Sequence, residues 1–304
     1  MLTVIFGLSG ALVFGSGDFL GGMASKRMGA FLATGVAAVV GLFVLFGLTF
    51  IIPGTVTPDT IMWGLISGVC GALAILLLYA ALAIGPMSIL SPLGALISAI
   101  FPVLWAIFIS HESLQWFGYL ALGIGAIAIV LVAFTPEKEA IKPNLRGIVF
   151  ASVSGIFIGL FLIVMDQVPV DAGVYPLVFN RFVNISIMFS VVGGMALIRW
   201  AHKRGYLGRD GKPRADLVVG DAGALDYKTG IKFALAGGVL DSLGNALLLL
   251  GIQSGNLSVM SVLTAMYPAG TIILAAVILR EKITKLQLFG MVLALAAAGL
   301  LAVS

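Results

Sequence analysis

The chain carries a single cysteine, Cys70, two histidines, His111 and His202, and only 10% charged residues. One cysteine cannot pair within the chain, so no disulfide framework organises the fold. The histidines and Cys70 are scattered, so they offer no zinc or haem cluster, and no Gly-x-x-x-x-Gly-Lys-Ser/Thr string is present to cradle a nucleotide phosphate. ATP-driven pumping and metal chemistry therefore lack their residues, and no cofactor is expected. Scarce charge excludes an ordinary soluble domain as well. Of 304 residues 61% are apolar, and the mean hydropathy of +1.17 places the whole chain in the membrane class.

What the sequence does have is long apolar stretches. Ten are long enough to cross a bilayer: 2–22, 31–52, 61–84, 87–109, 114–134, 146–165, 173–198, 230–251, 255–279 and 285–303. Stretch 2–22 is read as the first span rather than a signal peptide, because no basic region precedes it and Lys26-Arg27 follows it. All but one of the seventeen Lys and Arg residues fall in alternate gaps: Lys26 and Arg27; Lys138, Lys142 and Arg146; eight cations between Arg199 and Lys232; and Arg280, Lys282 and Lys285. The other gaps offer Asp59, His111, Glu112, Asp166 and Asp171 but no Lys or Arg. Short basic loops stay in the cytoplasm, so both termini are expected in the periplasm of a bacterial inner membrane, with the polar loop 201–229 inside. The net charge of +4 is then an anchor to anionic lipid, not a nucleic-acid site.

The chain also repeats itself. The run from Tyr79 to Ser91 recurs from Leu249 to Ser261, with Gly85, Ser88 and Ser91 matched by Gly255, Ser258 and Ser261, and Leu114-Gln115-Trp116-Phe117-Gly118 recurs as Leu286-Gln287-Leu288-Phe289-Gly290. Ser9-Gly10 with Gly15 is echoed by Ser154-Gly155 with Gly159. Five spans per unit is an odd number, so the second unit inserts upside down, and the loop charges alternate accordingly. The expected fold class is an all-α membrane protein of ten transmembrane helices in two inverted five-helix repeats, 1–142 and 143–304. That is an architecture on which secondary transporters build alternating access about a site near the midplane.

The Tyr79-Ala-Ala-Leu-x-x-Gly85-Pro-x-Ser88-x-x-Ser91 run, its second copy, and the Arg280-Glu281-Lys282-Ile283-Thr284 turn followed by Gly290 resemble the ten-helix EamA type of the drug/metabolite transporter superfamily. The resemblance covers nearly the whole chain. It implies a central cavity lined by helices one to four and six to nine, helices five and ten at the periphery, and transport without ATP. Where such proteins often carry a Trp-Gly pair in the first span, this chain has Phe14-Gly15 followed by Ser16-Gly17-Asp18, which implies a different cavity floor.

Ionisable residues inside spans are costly, about 2.5–3.5 kcal/mol each on insertion scales, and persist where they are paired or functional. At 1.5 Å per residue, Asp18 lies about 12 Å inward from Lys26, Asp241 about 13–14 Å inward from Lys232, and Arg181 about 15 Å inward from Asp171. All three approach one level of a core about 30 Å thick. Asn180, Asn184 and Asn245 accompany them, and Tyr79 and Tyr267 are candidates to stack on a substrate. Tyr175 and Trp105 read as interface anchors and Asp166 as an interfacial cap. Two acids and one base leave a carboxylate that needs a proton or a cation. The alternative is an Arg181–Asp241 bridge that locks the second repeat, with Asp18 hydrated near the cytoplasmic mouth.

The glycine pairs Gly17/Gly21, Gly64/Gly68 and Gly155/Gly159 read as packing seams, and Pro92, Pro102 and Pro268 as kinks. Gly7-Leu8-Ser9-Gly10 matches the short string of intramembrane serine proteases, but both histidines fall in loops, so no enzyme is expected. A passive channel would need a continuous polar lining. The sequence thus predicts a secondary transporter that exports a small amphipathic metabolite, amino-acid-like or amine-bearing. Import by the same fold and proton linkage stay open, and its partners are the substrate and the bilayer. Oligomeric state is not legible.

Overall fold

The computed structural model describes residues 2–84, 87–133, 144–203, 226–278 and 284–301, and among these it is built from helices with no strand. The helices are α1 (Leu2–Met28), α2 (Ala30–Leu48), α3 (Pro58–Ile84), α4 (Met87–Phe108), α5 (Trp116–Ala133), α6 (Leu145–Asp166), α7 (Tyr175–Lys203), α8 (Tyr227–Gln253), α9 (Leu257–Thr264), α10 (Pro268–Ile278) and α11 (Lys285–Leu301). Six of them, α1, α2, α3, α6, α7 and α8, contain spans long and apolar enough to cross a membrane. Lys138, Lys142, Arg280, Lys282, the Gly85-Pro86 step, the boundary at 142/143 and most of the loop 201–229 lie outside the described residues.

Local sequence explains where the helices begin and end. Gly29 separates α1 from α2 with φ 84°, a backbone region that side chains with a Cβ rarely enter. Asn144 caps α6 by accepting from the Gly147 N–H at 2.6 Å, and Asp226 caps α8 by accepting from the Thr229 N–H at 3.1 Å. Hydrogen bonding from Thr229 holds the Asp226 carboxyl below the usual carboxylate range.

The stretch expected as one span over 255–279 is instead two helices. Pro268 has no N–H to give the Thr264 carbonyl, and the chain passes from α9 to α10 through tighter bonds, Met266 N–H to the Leu263 carbonyl at 3.2 Å and Tyr267 N–H to the Thr264 carbonyl at 3.0 Å. Asp166 is the last residue of α6 and accepts from the Gln167 side chain at 3.3 Å.

Packing runs mainly between the two halves of the sequence. Helix α1 lies along α8, α3 along α6 and α7, α4 along α6, α2 along α8 and α7, and α5 along α11. Small residues make this approach possible. A Cβ at Gly64 would stand 2.8 Å from the Pro176 carbonyl oxygen, and one at Gly155 would stand 2.6 Å from that of Gly94. Large apolar side chains such as Phe43, Phe108 and Trp116 face outward, as lipid contact requires.

At the end holding the cation-free loops, hydrogen bonds also tie the halves together. Thr55 donates its N–H to the Asp171 carbonyl at 2.8 Å and its hydroxyl to the Asp171 carboxylate at 2.6 Å. The hydroxyls of Thr3 and Ser254 are 3.4 Å apart. Glu112 follows His111, which turns with φ 53°, and receives the Leu257 N–H at 2.7 Å, the Ser258 N–H at 3.2 Å and the Ser258 hydroxyl at 2.6 Å. One carboxylate thus satisfies two of the free backbone donors at the start of α9, together with the Ser258 hydroxyl.

Two outcomes are expected. Gly64→Leu and Gly155→Leu each force packed helices apart, and thermal unfolding should register a loss of about 1–3 kcal/mol or more; normal melting of either variant would remove that seam. Glu112→Ala strands three donors and should lower stability by about 1.5–3 kcal/mol, with Glu112→Gln milder.

Candidate functional site

Helices α1, α3, α6, α7 and α8, with the α9–α10 break, enclose a cavity of about 620 Å³ between atoms, its open side included. Its walls are largely apolar, from Phe14, Ile75, Leu78, Ile158, Phe161, Leu162 and Leu248. Its polar groups are Asp18, Asn180, Arg181, Asn184, Asp241, Asn245, Thr264 and Tyr267. Seven of the eight residues expected at the site from sequence therefore share one cavity. Tyr79 is outside that lining. It is 1% exposed, and its ring fills the space opposite Gly21, where any Cβ would overlap the phenol oxygen.

The centre of the site is an ion pair. Nη2 of Arg181 donates to Oδ2 of Asp241 and lies 3.4 Å from the Ser242 hydroxyl, which itself donates to the Gly238 carbonyl at 2.8 Å. The other carboxylate oxygen, Oδ1, receives Nδ2 of Asn245 at 3.3 Å, and the same amide donates to the Asp241 carbonyl at 2.8 Å. Arg181 and Asp241 are each 6% exposed, so neither charge has bulk water to fall back on. Room for the guanidinium comes from α2, where a Cβ at Gly41 would stand 2.9 Å from Nε of Arg181. That Nε is buried and without a hydrogen-bond partner among the described residues.

On α7 the arginine is bracketed by two amides. Asn180 donates to the Ser67 hydroxyl of α3 at 3.1 Å, and Nδ2 of Asn184 donates to the Asn180 carbonyl at 3.0 Å and to Asn180 Oδ1 at 2.9 Å. Tyr267, held at the break before Pro268, donates its hydroxyl to the Ser91 carbonyl at 3.2 Å. Thr264 Oγ1 is buried without a partner. The Asp18 carboxylate receives no hydrogen bond or ion pair from the described residues, yet the residue is only 5% exposed and lines the cavity. It is therefore enclosed with the pair rather than hydrated at a cytoplasmic mouth.

Gly41, Phe161, Ser242 and Thr264 were not among the residues expected to form the site, and Phe14 was expected only at the cavity floor. Thr264 had a local signal, four residues before Pro268, and Ser242 adjoins Asp241. Gly41 and Phe161 had none, because nothing in their own helices distinguishes them from packing residues.

Asp241→Asn should strand the Arg181 cation and lower stability by about 3–5 kcal/mol, and adding Arg181→Gln should recover most of that loss in thermal or denaturant unfolding. A single mutant as stable as the parent would show that the pair does not lock α7 to α8.

Residues 145–303 match the family model of the EamA-like transporter family. No curated protein matches the chain. A solved crystal structure of a protein superposes with a TM-score of 0.69 over 99% of this chain and 98% of that one, at 15% identity, a likeness of fold. The matched segment is more than half of the 304 residues, and with the apolar helices around a polar cavity it shows that the chain is a multi-pass membrane protein that belongs to the EamA-like transporter family.

Proposed function

We propose that the chain is a secondary transporter of a bacterial inner membrane that exports a small amphipathic metabolite, amino-acid-like or amine-bearing, by alternating access. The observation that carries this reading is the polar cavity, closed in by apolar walls and built from both halves of a member of a transporter family. Asp18, Asn180, Arg181, Asn184, Asp241, Asn245 and Tyr267 form its substrate site, and the reading assigns the chain no catalytic chemistry.

The two-repeat organisation, 1–142 and 143–304, is part of the proposal, and helix packing supports it. If α1, α2, α3 and α5 correspond to α6, α7, α8 and α11, the α1–α8 pair exchanges with α6–α3 and the α2–α8 pair with α7–α3, while α2–α7 and α5–α11 map onto themselves. The α4–α6 pair exchanges with the packing of α9 and α10 on α1. A pseudo-twofold axis in the membrane plane produces this exchange, and rocking of one half on the other then moves the opening from one side to the other. In this conformation the loop hydrogen bonds of Thr55, Glu112 and Ser254 hold one end together, which favours alternating access over an open pore.

Two measurements test the reading. In proteoliposomes, flux of amino acids or amines is expected to saturate with concentration and to respond to an imposed pH gradient; linear flux through the protein would make it a channel. On a Cys70→Ser background, a membrane-impermeant maleimide should label Asp59→Cys from the periplasm and Lys228→Cys from the cytoplasm. The reverse pattern would invert the orientation.

A further inference from the structure

The lining of the cavity holds one basic residue, Arg181, and two acidic ones, Asp18 and Asp241. Hydrogen bonding decides which anion is spoken for. Asp241 has one carboxylate oxygen on Arg181 and the other on Asn245, whereas Asp18 has no partner among the described residues. The carboxyl left without a partner thus belongs to α1, not α8. From the elements packed about it, the titratable or charged groups that bear on Asp18 are Asp241 of α8, Arg181 of α7, Tyr79 of α3 and Tyr267 before α10. Arg181 is committed elsewhere, and the phenols carry no positive charge.

The remaining polar groups lean the same way. Nδ2 of Asn245 faces a backbone carbonyl and a carboxylate, and Nδ2 of Asn184 faces a backbone carbonyl. Those partners only accept, so both amides are oriented with Oδ1 as the end left free. The arginine that would attract an anionic group has its Nη2 on Asp241 and its Nε against α2; Nη1 has no hydrogen bond among the described residues, but Asp241 already balances the charge of the guanidinium. Apart from the guanidinium that Asp241 neutralises, the cavity presents groups able to accept: the Asp18 carboxyl, two amide oxygens and the Thr264 hydroxyl, against aromatic walls from Phe14 and Phe161.

We infer that the cavity selects a monocationic amine with an apolar body, whose ammonium is held by Asp18, and that the Arg181–Asp241 pair positions the site without binding a substrate carboxylate. This deepens the transport reading of the same cavity and rests on it. An ammonium offers up to three donors to acceptors that lack them and neutralises the surplus charge, and the apolar body replaces contact with Phe14, Phe161 and Leu248. A zwitterion would bring a carboxylate to a guanidinium whose charge Asp241 already balances. An anion would bring a further negative charge beside two acids that share one arginine, which is the costlier arrangement.

The experiment uses four compounds that share one phenyl ring: phenethylamine, phenylalanine, phenylacetate and 2-phenylethanol. Each is titrated calorimetrically into the purified full chain in lipid nanodiscs, and each is followed as flux in proteoliposomes. Phenethylamine should bind tighter than the other three by about tenfold or more. Asp18→Asn should remove that advantage, Asp18→Glu should restore part of it, and the unliganded melting curve of each variant reports whether it has folded. If Asp18→Asn does not fold, the ranking of the four compounds on the wild-type chain decides alone. Equal binding of amine and alcohol, tighter binding of phenylalanine, or full amine affinity in a folded Asp18→Asn variant overturns the inference. Saturable flux of phenylalanine or phenylacetate with no amine binding sinks this charge assignment and leaves the transport reading standing. Absence of both binding and saturable flux for all four compounds sinks both.

Discussion

The architecture around the cavity turns on the contact between Arg181 and Asp241. A guanidinium in the interior of a membrane bundle has no water to solvate it, and a single lost partner leaves an uncompensated charge. That requirement fixes α7 against α8 at one register. It also explains the neighbours: Ser242, one residue after the acid, stands beside the guanidinium, Asn245 one turn on occupies the second carboxylate oxygen, and Gly41 of α2 keeps clear the space that Nε occupies.

Close helix approach is the condition for such a contact, and small residues supply it. A bilayer provides no hydrophobic drive between helices, so contact energy comes from backbones that meet closely. Gly17 lets α1 reach the Asp241 backbone, with a built Cβ only 3.2 Å from its nitrogen, and this places Asp18 at the same wall as the ion pair. The apolar and polar parts of the fold are in this sense one device. Glycine seams set α1 on α8 and α3 on α7, and the larger side chains are left to face lipid or to line the cavity.

The ionic surplus that follows gives the cavity its chemical character. Two carboxylates and one guanidinium were countable from the sequence, but the count alone does not say which carboxylate is free. The hydrogen bonds assign Asp241 to the arginine and leave Asp18 facing the cavity. The amides of Asn184 and Asn245, turned by acceptor-only partners, add oxygen rather than nitrogen to the lining. A site with an arginine and three asparagines reads from sequence as a binder of carboxylates as much as of amines, and only the directions of their bonds separate these.

Much of the fold was legible because it depends on properties each residue carries wherever it sits. Apolar runs of spanning length and Pro268 within the stretch 255–279 are local signals, and the spans of α1, α2, α3, α6, α7 and α8 and the α9–α10 break follow them. The depth of Asp18, Arg181 and Asp241 was legible too, since helical rise is a constant. Partnership was not. The sequence by itself determined that three charges and three asparagines would lie at about one level of a helical membrane protein. Tertiary structure decided that Arg181 would meet Asp241 rather than Asp18, that Tyr79 would stand behind the lining while Tyr267 stands in it, and that Glu112 would cap α9 across the molecule. The reason is rotational: residue spacing sets the height of a side chain along its helix, but its azimuth toward a partner is set by how neighbouring helices pack, and that depends on contacts between residues far apart in the chain.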